Sequence, residues 1–461
     1  MSFPAGRSKR SGGEVPFMNK RTQALSIVRR LRAAGHEAYF VGGCVRDLLR
    51  GERPKDYDIA TDAVPSRVAE LFERTVGVGE QFGVMLVLVD GVPYEVATFR
   101  ADVGYKDGRH PDSVRFTDAR EDALRRDFTV NGLFYDPVSR KVLDWVGGRK
   151  DLDRRLIRAI GQPARRFEED KLRMLRAVRF ASVLGYTIEP RTASAIRKRA
   201  SAIRQVSQER VRDELVKMFT GPHPGRALLL LDRTGLLEQV LPEVSAMKGV
   251  GQPRKYHPEG DVFRHTRLLM DQLSSPDPVL AFGCLLHDVG KPRTYERKDR
   301  IRFNGHEQVG ARMAEEILTR LRFSNDHKRD IVACVEGHMR FKDVRQMRES
   351  TLKRFMRRQT FVTELEQHRV DCLASHGDLG NWRFLKRKQR SFGAEDLRPA
   401  PLVNGRDLMA EGYPEGPALG QALRRIEELQ LEGHLKNRQE ALEWARANKN
   451  RTGGEHGQSD R

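Results

Sequence analysis

The sequence predicts an α+β fold, with a small mixed sheet in the first third and an almost wholly helical remainder. Three observations carry that expectation. Short apolar runs of strand length, punctuated by glycine turns, crowd the segment up to Asp151. From Glu168 onward the apolar spacing becomes helical and strand signals nearly vanish. Gly/Pro-rich breaks then cut the helical part into pieces of domain size.

In chain order, Thr22 to Ala34 reads as an amphipathic helix and Ala38 to Val41 as a short strand that ends on Gly42-Gly43. Val45 to Leu49 opens another helix, Asp56 to Ala60 alternates as a strand, and Pro65 to Phe72 returns to helix. Val84 to Val89 and Tyr94 to Phe99 form a strand pair around the turn dipeptide Asp90-Gly91. Further on, breaks fall at Gly185-Tyr186, at Gly221-Pro222-His223-Pro224 and between Lys248 and Pro258; the last marks a domain boundary, as does the stretch Ser391 to Pro401. The expected domains are a basic tail at 1–20, a mixed head at 21–152, a helical neck and body at 153–250, a second helical domain at 255–390, a helical element at 400–448 and a polar tail at 449–461.

Over 461 residues, Lys and Arg number 84 against 64 Asp and Glu, a net charge of +20 and a pI near 10. A surplus of that size points to a polyanionic partner, nucleic acid first. No apolar run approaches the ~18–20 residues of a membrane span, so no membrane partner is expected. Residues 1–15 lack the apolar core of a secretory signal. Cys44, Cys284, Cys334 and Cys372 are scattered without a CxxC pair, which suits a reducing, cytoplasmic setting.

Chemistry-bearing residues form two groups. In the first, Gly42-Gly43 between strand and helix lets backbone N–H groups approach phosphate oxygens, with Arg46 one turn further on. Asp56 and Asp58, two apart on a strand, project to one face, and Glu95 on a later strand offers a third carboxylate. Such clustered carboxylates repel unless a cation sits between them, and magnesium accepts this sparse ligation when phosphates complete its shell. A DxD by itself is more often solvated surface.

Together these residues carry a family resemblance. Val41-Gly42-Gly43-Cys44-Val45-Arg46-Asp47 followed by Asp56-Tyr57-Asp58 resembles the first motif of class II tRNA nucleotidyltransferases, which bacterial poly(A) polymerases share. Arg125-Arg126-Asp127-Phe128-Thr129-Val130-Asn131-Gly132 is similar to the ribose-sensing motif, and Asp144 to Leu152 to the hinge motif. Glu169-Asp170-Lys171-Leu172-Arg173 and its extension to Phe180 resemble the base-reading helix, and Ser207 to Arg210 with Glu214-Leu215 the fifth motif. Five motifs in order, spanning about Gly35 to Leu241, make coincidence a poor account. Asp170 and Arg173, three apart, put an acceptor and a donor fork on one helical face, a pairing able to imitate a base edge; Arg176 and Arg179 continue the stripe and could neutralise triphosphate. The competing view is a solvated charge ladder. The resemblance implies CTP, ATP and tRNA as partners, Mg2+ as cofactor, and Gly43, Arg46, Arg125, Arg126 and Asp127 as nucleotide-binding residues.

Within the family, Phe99 to Val114, with Tyr105, Asp107, Arg109 and Pro111, resembles a flexible loop typically missing from CC-only enzymes. Val78 to Gly83 departs from the Gly-Arg-Arg-Phe-like element of poly(A) polymerases. Complete CCA addition is therefore favoured, with A-only addition and poly(A) synthesis as alternatives.

The second group lies in the helical half. His287-Asp288-Val289-Gly290-Lys291 resembles the core motif of HD-domain phosphohydrolases. With His265 and Asp371 it would form a four-ligand site for a divalent transition metal, which His306 and His338 could extend to two ions. The resemblances turn the fold class into a nucleotidyltransferase head with a small mixed sheet, a mostly all-α neck and body, and an all-α HD domain. Hydrolysis by that domain is one expectation and a buttress for tRNA the other; a phosphohydrolase with an RNA-binding first half is a third, more distant reading. His257, His327, His376 and Trp145 read as packing or surface. Lys353, Arg354, Arg357, Arg358 and the run Lys386 to Arg390 read as a solvated helical face, or as contacts to the tRNA backbone.

Overall fold

The computed structural model describes residues 19–79, 82–103, 113–254 and 257–449. Most of the expected tails lies outside them, as do Glu80, Gln81 and the loop residues Tyr105, Asp107, Arg109 and Pro111. The chain divides into two compact units: Met1–Glu214 with Arg233–Val240, and Leu215–Asp232 with Leu241–Arg461.

In the first unit the Asn19 side chain caps α1 (Lys20–Ala33), so helix begins two residues before the apolar spacing suggests. The sheet is built from β1 (Ala38–Val41), β2 (Asp58–Thr61), β3 (Thr75–Gly79), β4 (Val84–Val89) and β5 (Val92–Thr98). A separate ribbon pairs β6 (Arg100–Val103) with β7 (Ser113–Phe116), and β8 (Phe134–Asp136) and β9 (Lys141–Leu143) complete the main sheet. Its order is β3-β4-β5-β2-β1-β8-β9, with β2 and β5 parallel and every other neighbour antiparallel, hence a mixed sheet. Ala24, Ile27, Val28 and Leu31 of α1 pack on one face with Phe40, Ile59 and Val96. Phe99 and Phe134 cover the other with Ala119 and Ala123.

Register places the chemistry. Val41 at the end of β1 stands opposite Asp58 at the start of β2, and Ile59 stands opposite Val96 of the parallel β5. Gly42-Gly43 therefore enters α2 (Gly43–Leu49) beside the Asp58 carboxylate, and Glu95 lies one position before the β5 pairing. Around the sheet run α3 (Pro65–Leu71), α4 (Ala119–Arg125) and α5 (Gly148–Asp153). Then come β10 (Leu156–Ile157), α6 (Pro163–Glu169), α7 (Arg173–Val183), β11 (Thr187–Ile188) and α8 (Pro190–Arg199). The chain passes into the second unit within α9 (Gln208–Phe219).

Two expectations need correction here. Asp56 does not share a strand with Asp58, because β2 starts at Asp58; the Pro54-containing approach holds the chain out of the sheet until then. Asp170 and Arg173 do not share one helix. Asp170 terminates α6 in an extended conformation (φ −141°, ψ 108°), and its carboxylate accepts from Leu172 N while its carbonyl accepts from Arg173 N, nucleating α7.

The second unit takes α10 (Pro224–Arg233), the chain returns to the first unit for α11 (Leu237–Val240), and from α12 (Pro242–Ser245) onward the described residues of the second unit are helical apart from one small hairpin. Its centre is α13 (Val262–Asp271), α14 (Pro278–Leu286), the hairpin β12 (Glu296–Arg297) and β13 (Ile301–Arg302), α15 (His306–Arg320), α16 (Asn325–Gly337), α17 (Glu349–Met356) and α18 (Phe361–Ala374). α14 carries no charge, and its residues Leu280 to Leu286 are all buried, as expected for a helix covered on every side. Then follow α19 (Gly380–Ser391), α20 (Ala394–Leu397), α21 (Gly405–Ala410), α22 (Pro417–Leu431) and α23 (Arg438–Asn448), the last three around a core of Leu408, Tyr413, Ile426 and Ala441.

The basic face of α17 proves to be packing. Lys353 is buried and donates to the Leu431 carbonyl (2.6 Å), Arg354 pairs with Glu427 and Glu428, Arg357 with Glu427, and Arg358 with Glu364. Lys353, Arg354 and Arg357 thus fasten α22, Arg358 ties to α18, and these side chains are not a face left to solvent.

Candidate active site and candidate metal centre

In the first unit a cavity of about 440 Å³ is lined by Gly42, Gly43, Arg46, Asp58, Arg125, Arg126, Asp127, Asn131, Asp170, Arg173, Arg176 and Phe180. Five arginines against three aspartates leave it a positive surplus, as a polyphosphate site requires. Gly42 adopts φ +72°, and a Cβ there would come within 3.4 Å of Arg126 Nη1 and 3.8 Å of Asp58 Oδ2. Glycine is therefore needed both for the left-handed backbone and for close approach.

The carboxylates flank this cavity. Asp58 also borders a second, ~290 Å³ cavity together with Asp56 and Glu95. Burial, followed by the charges of Glu95 and Asp56, raises the Asp58 carboxyl to about 6 against the pull of Arg126. Asp56 is exposed and held by Lys20 at 2.9 Å. A buried carboxyl whose charge two neighbouring carboxylates oppose fits a divalent cation, the partner that would remove the conflict at Asp58.

Most of the arginines are positioned by acids. Arg125 and Arg126 both pair with the buried Asp122 (2.7 and 2.9 Å). Arg46 donates to Asn131 Oδ1 (2.8 Å) and Asp47, with its guanidinium 5.7 Å from the Phe180 ring centre. Asp127 accepts two bonds from Arg176 (2.8 and 2.6 Å) and one each from Asn131 and Phe128 N. Burial would raise its carboxyl, but these partners outweigh burial and hold it at about 2. Arg173 pairs with Glu169 (2.8 Å) and Asp170 accepts from Arg210 (3.0 Å). Both base-reading candidates thus reach the cavity from fixed positions.

Arg179 is placed differently from expectation: it does not line this cavity. It donates to the buried Glu214 (2.7 Å) and stacks over Phe180 at 4.1 Å. Continuing an i+3 stripe carries it around the helix, away from Arg173. The residues that sequence reasoning left without a role are Asn131, Asp122, Phe180 and Lys20. Asn131 and Phe180 stood within recognised motifs; Asp122 stands three and four residues before the arginines it holds, a helical spacing that could have marked it, whereas Lys20 is 36 residues from Asp56 and no local signal marks it.

In the second unit, α13, α14, α15, α16 and α18 bring six expected residues together. His265 is fully buried, with Nδ1 2.7 Å from Glu259 and Nε2 3.0 Å from Asp371. Neither contact has hydrogen-bond alignment. Nδ1 of His287, His306 and His338 lies 2.6–2.8 Å from the carbonyl three residues earlier, namely Cys284, Phe303 and Val335. Each Nδ1 can only donate to a carbonyl, which leaves each neutral ring a lone pair on Nε2. Nε2 of His306 and Nε2 of His338 face each other at 3.2 Å, and both lie within 4 Å of Asp288 Oδ1. Burial, then the neighbouring His287 and His306, depresses His338 to about 3, so it stays neutral. Opposed lone pairs and short unaligned N···O contacts are the geometry of donors converging on a common cation. The residue set fits divalent metal.

His257 is reassigned. Together with Glu259, which sequence reasoning overlooked, it forms a donor cluster with His265; Glu259 lies 2.9 Å from His257. Lys291 is also placed: it pairs with Asp288 (2.8 Å) and donates to Gln252. Trp145 packs edge-on against Phe134, and His327 edge-on against Phe323.

Residues 38–158 match the poly A polymerase head domain, 185–248 the probable RNA and SrmB-binding site of polymerase A, and 260–366 the HD domain. A CCA-adding enzyme of Bacillus pumilus is 33% identical over 429 residues, covering 92% of this chain and 96% of its own. One from Anoxybacillus flavithermus is 32% identical over 436 residues, covering 93% and 98%. Among solved structures, the Bacillus stearothermophilus CCA-adding enzyme in complex with CTP shares 29% identity at a TM-score of 0.67, covering 94% of this chain and 98% of that one. The Thermotoga maritima CCA-adding enzyme complexed with tRNA shares the fold at 18% identity and a TM-score of 0.58.

Proposed function

The chain belongs to the family of CCA-adding enzymes, and on that premise we propose that it adds C, C and A to the 3′ end of tRNA from CTP and ATP. The tRNA 3′-oxygen attacks the α-phosphorus, the bond to the pyrophosphate oxygen breaks, and pyrophosphate leaves; the hydroxyl proton passes to solvent. The observation that carries this reading is one cavity that joins Asp58 and the Gly42-Gly43 turn to Asp170, Arg173 and Arg176. Phosphates and the base of a single nucleoside triphosphate can meet both sets at once.

In this reading Gly43, Arg46, Arg125, Arg126 and Arg176 take the triphosphate, and Asp127 holds Arg176 in place. Asp170 and Arg173 supply the acceptor and donor that choose the base. Asp58, with Asp56 and Glu95, would hold magnesium, which when bound supplies charge for the reacting oxygens. Positioning and charge neutralisation then account for most of the rate. No helix among the described residues is long and apolar enough to cross a membrane, and we place the protein in the cytoplasm, where tRNA is available.

The second unit supports a further activity of the same chain, hydrolysis of phosphate esters at RNA 3′ ends. The opposed His306 and His338 nitrogens favour metal-assisted chemistry over a buttress, because a buttress gains nothing from them. Water would attack phosphorus, one P–O ester bond would break, and the departing ribose oxygen would take the proton. His265, His287, Asp288, Asp371, His306 and His338 would hold the ions.

The test uses a tRNA transcript without its terminal CCA, the full chain and Mg2+, with CTP alone, ATP alone and both. Addition of C, C and A that stops there is expected. Extension only of transcripts already ending in CC identifies an A-adding enzyme, and a long A tail on unrelated RNA identifies a poly(A) polymerase; either outcome overturns complete CCA addition.

A further inference from the structure

The hairpin β12–β13 of the second unit grows directly out of the candidate metal centre. It leaves from Lys291, which pairs with Asp288 at 2.8 Å, and returns through Phe303, whose carbonyl lies 2.8 Å from His306 Nδ1. Lys291 Nζ also sits 5.3 Å from the Phe303 ring centre. Both roots are thus tied to candidate ligands, which places the hairpin beside them.

Its composition is unlike that of the helices around it. Between Pro292 and Arg302 stand Arg293, Arg297, Lys298, Arg300 and Arg302 against only Glu296 and Asp299. Asp299 is taken by Arg302 (2.9 Å). Among the described residues, Arg293, Arg297, Lys298 and Arg300 have no ion-pair partner, and all four are exposed. Other cations of this unit are tied down by acids: Arg320 pairs with Glu243, and Arg354 and Arg357 with α22. At the hairpin's foot, Tyr295 is 40% exposed and inclined to Phe303 with ring centres 5.8 Å apart. Unpaired cations in a row beside an exposed aromatic ring are what single-stranded RNA uses, phosphates on the cations and a base on the ring.

We propose that this hairpin, through Tyr295, Arg297, Lys298 and Arg300, binds the single-stranded 3′ end of RNA and feeds its terminal phosphate to the metal centre. The proposal rests on the reading of that centre as a phosphohydrolase. Lys298 lies three residues beyond Tyr295, past β12 in the turn of the hairpin, a reach of at most about 10 Å. The hairpin therefore grips nucleotides upstream of the terminal one while the end enters among the ligands.

The test compares the metal-loaded full chain with the variant R297E/K298E/R300E and with Y295A. Two substrates are used: a short RNA ending in a 2′,3′-cyclic phosphate, and bis(p-nitrophenyl) phosphate, which has no nucleotide to grip. The triple variant is expected to raise KM for the RNA at least about tenfold and to flatten its log–log salt dependence by about 2, the loss of three phosphate contacts. Y295A should raise the RNA KM several-fold, and hydrolysis of the small diester should stay within twofold in both variants. An RNA KM and salt slope unchanged beside intact small-diester hydrolysis would overturn the proposal alone. Loss of both activities in the variants would also overturn it, by making the hairpin a support for the ligands. If the unaltered chain hydrolyses neither substrate, the phosphohydrolase reading fails and takes the proposal with it.

Discussion

Substituting Asn for Asp127 tests whether the floor of the nucleotide cavity is held by one ion pair. Asp127 is only 10% exposed and Arg176 33%, and they share two short bonds. The Asp127 carboxyl is lowered from 3.8 to about 2, which corresponds to about 2.4 kcal/mol. Because the folded value lies below the unfolded one, this stabilisation is fully present above about pH 4 and is lost as the pH falls from there towards 2. At neutral pH D127N should therefore cost about 2 kcal/mol, or roughly 4–8 °C in the Tm of a unit of this size. The D127N, R176M and double variants form a cycle, read by urea unfolding at pH 7 and again near pH 2.5. We expect a coupling of about 2 kcal/mol at pH 7 that shrinks by at least half at the lower pH. The nucleotide KM should rise in each single variant, since Arg176 loses its fixed position. A coupling under about 0.5 kcal/mol at pH 7, or one insensitive to acid, would refute the account of how this side chain is held.

Other substitutions separate the remaining parts. D58N should lower nucleotide incorporation by on the order of 10²–10³ without loss of tRNA retention on a filter; incorporation near the unaltered rate would remove Asp58 from the reaction. G42A places a side chain at φ +72° and 3.4 Å from Arg126, so it should destabilise by about 1–2 kcal/mol and weaken triphosphate binding in calorimetry; unchanged affinity would show that the turn makes no close approach to the nucleotide. E259Q disturbs the group beside His265 Nδ1 and should weaken metal binding at the HD centre about 10–100-fold, measured as metal content after dialysis, while CCA addition stays constant; full metal content would show that Glu259 does not position His265. K353M leaves the Leu431 carbonyl without its donor and should cost about 1–3 kcal/mol, seen as faster proteolysis within residues 400–449; an unchanged digestion rate would mean that the ion pairs of Arg354 and Arg357 suffice.

Much of this molecule is local, and local features are legible in a sequence. The mixed head and helical remainder follow from apolar period, because strand and helix differ in which residues share a face. The Gly-Gly turn, Asp58 and Glu95 are readable because a phosphate turn and a carboxylate cluster each demand particular residue types. The His-Asp pair and its distant partners are readable for the same reason, since metal chemistry restricts the donors. β6 to β9 were not, being three- and four-residue strands whose pairing is set by partners far along the chain.

What the sequence by itself determined, then, is the order of the longer elements and the identity of the reactive groups, because these depend on spacing over a few residues. What only the tertiary structure decided is which charge faces which. Asp56 lies off the strand and against Lys20, 36 residues away. Arg179 turns to Glu214 instead of the cavity. Lys353 and Arg354 are spent on α22. His257 and Glu259 join His265. A charged side chain takes whatever opposite charge the fold brings within about 4 Å, because the interaction strengthens sharply as water is excluded. That neighbour is chosen by packing between distant segments, on which the local pattern is silent.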